Sequence, residues 1–211
     1  MGTGVDKMFL EISGCPVVGH TWLNYDGLEC IDDVTLVVRS GREAEFNNLA
    51  ETLSVKKNFR IVSGGEERQD SVWNGLAAVP KNTNIVVVQD GARPCTDHLL
   101  IKQTVETAMK IGAAVAATLV TDTIKGTDES GYIIQNLNRE NLRAVQTPQA
   151  FNVNVFRRAL AYVRDKELRV TDDTAACEFI GQSVALVESD LPNPKVTCPA
   201  DLLYVKSLLD S

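Results

Sequence analysis

The chain has 211 residues, 44% of them hydrophobic, enough to fold one α/β domain around a sizeable core. A formal net charge of −7 argues against loose binding of nucleic acid, which needs a basic face, so any phosphate site must be built from a few aimed Lys and Arg side chains. Met1–Leu10 carries no apolar signal core and no run approaches the length of a membrane span.

Taken in chain order, Val34–Val38 (VTLVV) is a nearly continuous β-branched run and predicts a buried parallel strand. Glu43–Lys56 predicts a helix. Arg60–Val62 predicts a short strand that runs into a glycine turn, with a helix over Asp70–Ala78. Ile85–Val88 (IVVV) is a second buried parallel strand, followed by a helix over Asp97–Ile111. Ala113–Leu119 is Ala-rich, but its apolar run favours a strand. Thr121–Gln149 then breaks the rhythm, being polar and rich in turn residues (KGTDESGY). Within it, Tyr132–Asn136 and Leu142–Thr147 are expected to pair as a hairpin arm. Such an arm needs a partner to cover its apolar side chains, which points to a dimer. Val153–Val163 and Asp172–Ile180 predict helices, the second with Thr171 as N-cap. A late strand over Ser183–Val187 and a helix over Pro199–Leu209 complete the chain. The alternation predicts a single Rossmann-like domain over residues 1–211. It should hold an open, mostly parallel sheet with helices on both faces and an arm at roughly 121–149.

Five cysteines (Cys15, Cys30, Cys95, Cys177 and Cys198) are scattered, without a CxxC pair. They read as free thiols of a reducing, cytoplasmic compartment. With only His20 and His98 beside them, no zinc or other protein-held metal site is expected.

Two motifs carry chemistry. Ser63–Leu76 (SGGEERQDSVWNGL) follows a strand and opens a helix. Gly64 and Gly65 allow backbone amides to approach a ligand, the helix N-terminus favours negative charge, and Ser71 in the first turn can add a hydroxyl donor. An ordinary glycine turn would look the same. In the second, VVVQDGARP, a strand ends in Asp90, Gly91 and Arg93. Ligands of open α/β sheets bind beyond such carboxyl ends. There Asp90 could hold a ribose hydroxyl or a metal-bound water, and Arg93 could fork onto a phosphate, or the two could form a plain surface pair. Lys7, Thr123, Arg139, Thr147, Thr171 and Lys195 are scattered basic and hydroxyl residues without a pattern of their own.

Together these segments resemble a known family. GGEERQDSVWNGL, VVVQDGARP, DTIK, NRENLRAVQTPQAF, VTDDTAACEFIGQSVALVES and NPKVTCPADL occur in the order found in 2-C-methyl-D-erythritol 4-phosphate cytidylyltransferases. DKMFLEISGCPVVGHT is similar to that family's PKQFLxLxGxPVLxHT. The resemblance runs from Lys7 to Leu203. It implies a homodimer of the nucleotidyltransferase fold, joined through the arm, that moves CMP from CTP onto methylerythritol phosphate with release of pyrophosphate. Mg²⁺ would be bound through the CTP phosphates. By the same resemblance Lys7, Arg139 and Lys195 are the catalytic cations, and Gly64, Gly65, Ser71, Asp90 and Gly91 lie on the nucleotide side. Asp90, Arg93, Thr123, Arg139, Thr147, Thr171 and Lys195 serve the acceptor. Thr123 and Arg139, in the arm, would reach the partner subunit's site. A bacterial cytoplasmic setting is implied, or the plastid stroma for a plant protein.

There are departures. The family opens on a buried strand and a glycine-rich loop, AAGxGxRMG, and here Met1-Gly2 stand where its last two residues fall. The resemblance therefore leads us to expect unpaired backbone on two neighbouring strands and turnover of CTP below the family's rate. Asp6 replaces a proline, Gly91 an alanine and Gln89 a common histidine. Two rival readings remain: a ribitol 5-phosphate cytidylyltransferase, which the Thr123, Arg139, Thr147 and Thr171 pattern disfavours, and a non-catalytic CTP-binding relative.

Overall fold

A computed structural model describes residues 6–210; Met1-Gly2, on which the comparison of the opening loop falls, lie outside them. After a 3₁₀ turn at Lys7–Phe9, strands β1 (Glu11–Ile12) and β2 (Cys15–Pro16) form a small antiparallel hairpin. It feeds helix α1 (Val17–Asp26), which buries Val17, Val18, Trp22 and Tyr25. Strand β3 (Asp33–Val38), helix α2 (Glu43–Leu53) and strand β4 (Asn58–Ser63) make a parallel β-α-β unit. The expected helix to Lys56 stops at Leu53 because Ser54 turns left-handed. Helix α3 (Arg68–Ala78), strand β5 (Ile85–Val88) and helix α4 (His98–Ile111) follow. Asp97 caps α4 by accepting from the Leu100 amide at 3.1 Å, and Gly112 ends it at φ 103°. Strand β6 is Ala113–Leu119, and the arm carries β7 (Lys125–Thr127) and β8 (Ile133–Asn136). Strand β9 (Arg143–Asn152), helices α5 (Val153–Asp165) and α6 (Asp173–Phe179), strand β10 (Ala185–Glu188) and helix α7 (Asp201–Leu209) finish the chain.

The main sheet has the order β10-β6-β9-β5. β10 runs parallel to β6, whereas β9 runs antiparallel to both β6 and β5. The α/β class holds and β5, β6 and β10 share one direction, with β9 as the strand against the grain. This changes the expected arm. Leu142–Thr147 does not pair with Tyr132–Asn136: β8 pairs with β7, and β9 enters the sheet centre. The reason is burial. β9 ends in Ala150 and Phe151, both at 0% exposure, and its flanking strands come from elsewhere in the chain. Asp172, not Thr171, caps α6, accepting from the Ala175 amide at 3.0 Å.

Phe151 and Phe156 stack at 4.2 Å and centre the largest cluster, with Leu160, Val163, Ala176 and Cys177 around them. On the other side of the molecule, Trp22 meets Phe59 edge to face at 5.2 Å, packed with Phe46 and Leu49. Between these regions, β3 and β5 each have a ladder partner on one side only among the described residues. A groove of about 1060 Å³ separates them, lined by both strands and by Lys7, Arg68, Ser71, Asp90 and Gly91. The strands expected to be buried are therefore half open, and Val37 is 38% exposed.

Candidate functional site

One wall is the turn after β4. The Gly64 amide donates to the Val38 carbonyl at 2.7 Å, which fastens the turn to the end of β3. The Gly65 amide donates to Ser71 Oγ at 3.1 Å. A Cβ on Gly65 would stand 2.3 Å from Asp70 Cβ, so the turn can close on the helix only without a side chain there. Asp70 in turn accepts from the Glu67 amide at 3.2 Å, setting the first turn of α3. Val37–Ser40, Gly64–Glu66 and Ser71 enclose a cavity of about 400 Å³ over this helix end, where the dipole favours an anion.

The other wall is the carboxyl end of β5. Asp90 Oδ2 pairs with Lys195 Nζ at 2.8 Å and faces Arg93 Nε at 3.5 Å. Its amide donates to Thr147 Oγ1 at 3.1 Å, joining β5 to β9 where Thr147-Pro148 is cis. Arg93 Nη1 donates to the Asn193 carbonyl at 2.6 Å, while its Nε is buried without a hydrogen bond. Burial pulls the Arg93 guanidinium below its ordinary pKa, against the opposing charge of Asp90. Asn193, 4% exposed, is the hub behind these groups. Its Nδ2 donates to Gln146 Oε1 at 3.0 Å and to the Thr147 carbonyl at 2.9 Å, and its Oδ1 accepts from Thr96 Oγ1 at 3.0 Å.

A third contact bridges the walls. Arg68, at the start of α3, forks onto Asp173 at the start of α6, with Nη1 to Oδ1 at 3.0 Å and Nη2 to Oδ2 at 2.6 Å. The Asp173 side chain is 1% exposed, and burial pushes its carboxyl up against the opposing pull of Arg68.

Of the residues singled out in the sequence, Asp90, Arg93, Thr147 and Lys195 form one connected group. Lys7 is exposed, has no ion-pair partner among the described residues, and lines the same groove as Ser71, Asp90 and Gly91. Thr171 is exposed just ahead of α6. Thr123 and Arg139 stay out on the arm, where Arg139 Nη1 donates to the Thr121 carbonyl at 2.5 Å; this chain does not bring them to Asp90.

A paired glycine turn at a helix start and the Asp90 carboxylate at a strand end thus line one groove. The sequence model of the family described as IspD, 2-C-methyl-D-erythritol 4-phosphate cytidylyltransferase, matches residues 1–211. The chain belongs to this family. It is 40% identical over 210 residues to the 2-C-methyl-D-erythritol 4-phosphate cytidylyltransferase of Pelotomaculum thermopropionicum, covering 99% of this chain and 88% of that one. It is 39% identical to the protein of the same name from Desulforamulus reducens, covering 99% and 90%. Its fold superposes on the 4-diphosphocytidyl-2C-methyl-D-erythritol synthase of Anaerococcus prevotii with a TM-score of 0.90 at 28% identity, covering 100% and 92%. The Thermus thermophilus cytidylyltransferase gives 0.81 at 31%, covering 97% and 94%.

For a member of the cytidylyltransferase family, the sequence reading missed the residues that hold the site rather than line it. Asn193 and the Arg68–Asp173 pair were not singled out, although Arg68 lies inside SGGEERQDSVWNGL and Asp173 inside VTDDT. Gln149, 2% exposed, donates to Asp172 Oδ2 at 3.1 Å and was also passed over. Two adjacent carboxylates, Asp172 and Asp173, at the start of an expected helix are the signal that could have found the pair. Among the described residues no group of three or more His, Cys, Asp or Glu is placed to hold a metal, and no helix is long and apolar enough to cross a membrane.

Proposed function

We propose that the chain transfers CMP from CTP to 2-C-methyl-D-erythritol 4-phosphate, giving 4-diphosphocytidyl-2-C-methyl-D-erythritol and pyrophosphate in the non-mevalonate isoprenoid pathway. The observation that carries this is the pair of facing walls: the Gly64–Gly65–Ser71 turn over the α3 N-terminus, and Asp90 with Arg93, Lys195 and Thr147 at the β5 end. The relatives named for this reaction favour methylerythritol phosphate over ribitol 5-phosphate.

An acceptor phosphate oxygen attacks the α-phosphorus of CTP, and the bond to the oxygen bridging the β-phosphorus breaks. The nucleophile is already an oxyanion, so no covalent intermediate on the protein is needed. Catalysis is then alignment and neutralisation of charge. Gly65, Ser71 and the α3 N-terminus take the nucleotide. Lys7, exposed on the groove, meets the triphosphate. Lys195 and Arg93 turn toward the acceptor phosphate from their shared carboxylate, with Thr147 and Thr171 beside it. Arg139 and Thr123 act across a homodimer: Tyr132, Ile133 and Ile134, at 74%, 66% and 68% exposure, are the apolar surface that such a partner covers. Among the described residues Asp90 is the carboxylate that ends β5, which suits Mg²⁺ carried on the phosphates, an ion that keeps most of its ligands as water and phosphate oxygen. When bound, it would lower the charge on the leaving pyrophosphate. A cytoplasmic location goes with this substrate set.

Pyrophosphate release by the purified chain with CTP, Mg²⁺ and each acceptor tests the reading. We expect release with methylerythritol phosphate and little with ribitol 5-phosphate. CTP binding by calorimetry with release from neither would leave a non-catalytic binder, and overturn it.

A further inference from the structure

The first turn of α6 is tied to two separate elements. Asp173 takes the Arg68 fork from α3. Asp172 caps the helix with Oδ1 on the Ala175 amide, and its Oδ2 takes Gln149 Nε2 from β9 at 3.1 Å and Thr174 Oγ1 at 2.7 Å. Arg68 stands three residues before Ser71, Gln149 two residues after Thr147, and Asp172-Asp173 directly after Thr171.

Stability does not explain the Arg68–Asp173 pair. Only the Asp173 end of the pair is buried, the Arg68 side chain being 41% exposed, and desolvation of that carboxylate offsets much of the attraction to a cation in contact with water. Arg68 also sits at the positive end of its own helix, where a cation is disfavoured. What a two-pronged guanidinium–carboxylate contact does supply is geometry, because it fixes orientation as well as distance. Its two ends lie beside Ser71 and beside Thr171. We propose that Arg68 and Asp173 are positioning residues that set the α6 start, and with it Thr171, against the nucleotide wall. Assigning Thr171 to the acceptor and Ser71 to the nucleotide rests on the function proposed above. Arg68 and Asp173 do not act on the reacting atoms. They decide whether the acceptor phosphate is presented at the right distance to a nucleotide already bound. α6 spans seven residues, and its first turn is tied by side chains to α3 through this fork and to β9 through Gln149 and Asp172, so loss of the fork leaves it without its tie to the nucleotide wall.

Two variants separate positioning from plain stability. Arg68→Lys keeps the charge and loses the fork. The double variant Arg68→Gln with Asp173→Asn removes both charges, so no orphaned carboxylate stays buried, while the shorter Gln no longer makes the two-pronged contact. In both, amide hydrogen exchange of residues 175–179 is expected to speed up by about 10-fold or more, with α5 unchanged. The KM for the acceptor should rise by about 10-fold and that for CTP by less than about 2-fold. The double variant should regain the wild-type melting temperature but not the wild-type acceptor KM. Unchanged exchange in α6 overturns the inference, as does a double variant that recovers acceptor KM together with stability. A wild-type chain that releases no pyrophosphate defeats the functional reading alone. The exchange rates still decide the role of the pair.

Discussion

Replacing Asn193 by Ala tests whether the β5 end is held from behind. The side chain makes three hydrogen bonds, to Gln146 Oε1, the Thr147 carbonyl and Thr96 Oγ1, at 3.0, 2.9 and 3.0 Å. Each is worth about 1 kcal/mol net, and the Thr147 carbonyl and Gln146 Oε1 lose the amide that donates to them, so the loss should be roughly 2–4 kcal/mol. A water that enters the space would bring it to the lower end. For a chain of this size 1 kcal/mol moves the melting temperature by about 2–4 °C, which predicts a fall of roughly 5–15 °C. Urea unfolding followed by fluorescence gives the free energy, and calorimetry gives the melting temperature. Leu191→Ala is the control, because a side chain in a residue 55% exposed should cost less than about 0.5 kcal/mol. The functional consequence is separate. The Asn193 carbonyl holds Arg93, and Lys195 lies two residues further on, so acceptor KM should rise more than CTP affinity falls. A loss below about 1 kcal/mol with unchanged acceptor KM would refute the hub role.

Three further outcomes follow from the same contacts. Gly65→Ala forces a Cβ to within 2.3 Å of Asp70 Cβ, so CTP binding measured by calorimetry should weaken by roughly 10-fold, about 1.4 kcal/mol; unaltered affinity would show that the turn does not face the nucleotide. Burial raises the Cys95 thiol to about 11 and the Cys177 thiol to about 12, whereas Cys30 and Cys198 are exposed. Raised values leave half-buried Cys95 and buried Cys177 protonated at pH 8, so iodoacetamide on the native chain should label Cys30 and Cys198 first by peptide mass spectrometry. Equal labelling of Cys177 would contradict its packing. Ile133→Asp with Ile134→Asp places charge on the exposed arm strand and should turn the proposed dimer into a monomer by light scattering; an unchanged mass would remove the arm from the interface.

What could be read from the sequence was local. Val34–Val38 and Ile85–Val88 announce themselves through β-branched runs, and the glycine turn through its chemistry. Helix α1 was invisible because it starts directly after Pro16 without a capping side chain and is interrupted by Gly19 and Asn24. β9 was mistaken for arm because Gln146, Pro148 and Gln149 do not look like a central strand. Its place is set by β5 and β6, which arrive from distant parts of the chain. The supporting contacts lie further still from any local pattern: Arg68 and Asp173 are 105 positions apart, and Thr96 and Asn193 are 97 apart.

The charge balance ties these scales together. A chain of net charge −7 cannot attract polyphosphate by its overall field, so the attraction has to be local. The function proposed above places it at the β5 end. Lys195 and Arg93 are gathered on a single carboxylate, Asp90, which holds both cations close to where an anion would enter. Arg68 would be a third cation at the same place, and Asp173 neutralises it from a buried position. One arginine is thus committed to scaffold and two cations are left to exchange a carboxylate for a phosphate. This division could not be read from composition, because it depends on which carboxylates are buried. Asp173 is sealed among packed side chains and keeps its partner, while Asp90, at 21% side-chain exposure on the groove, can release its own.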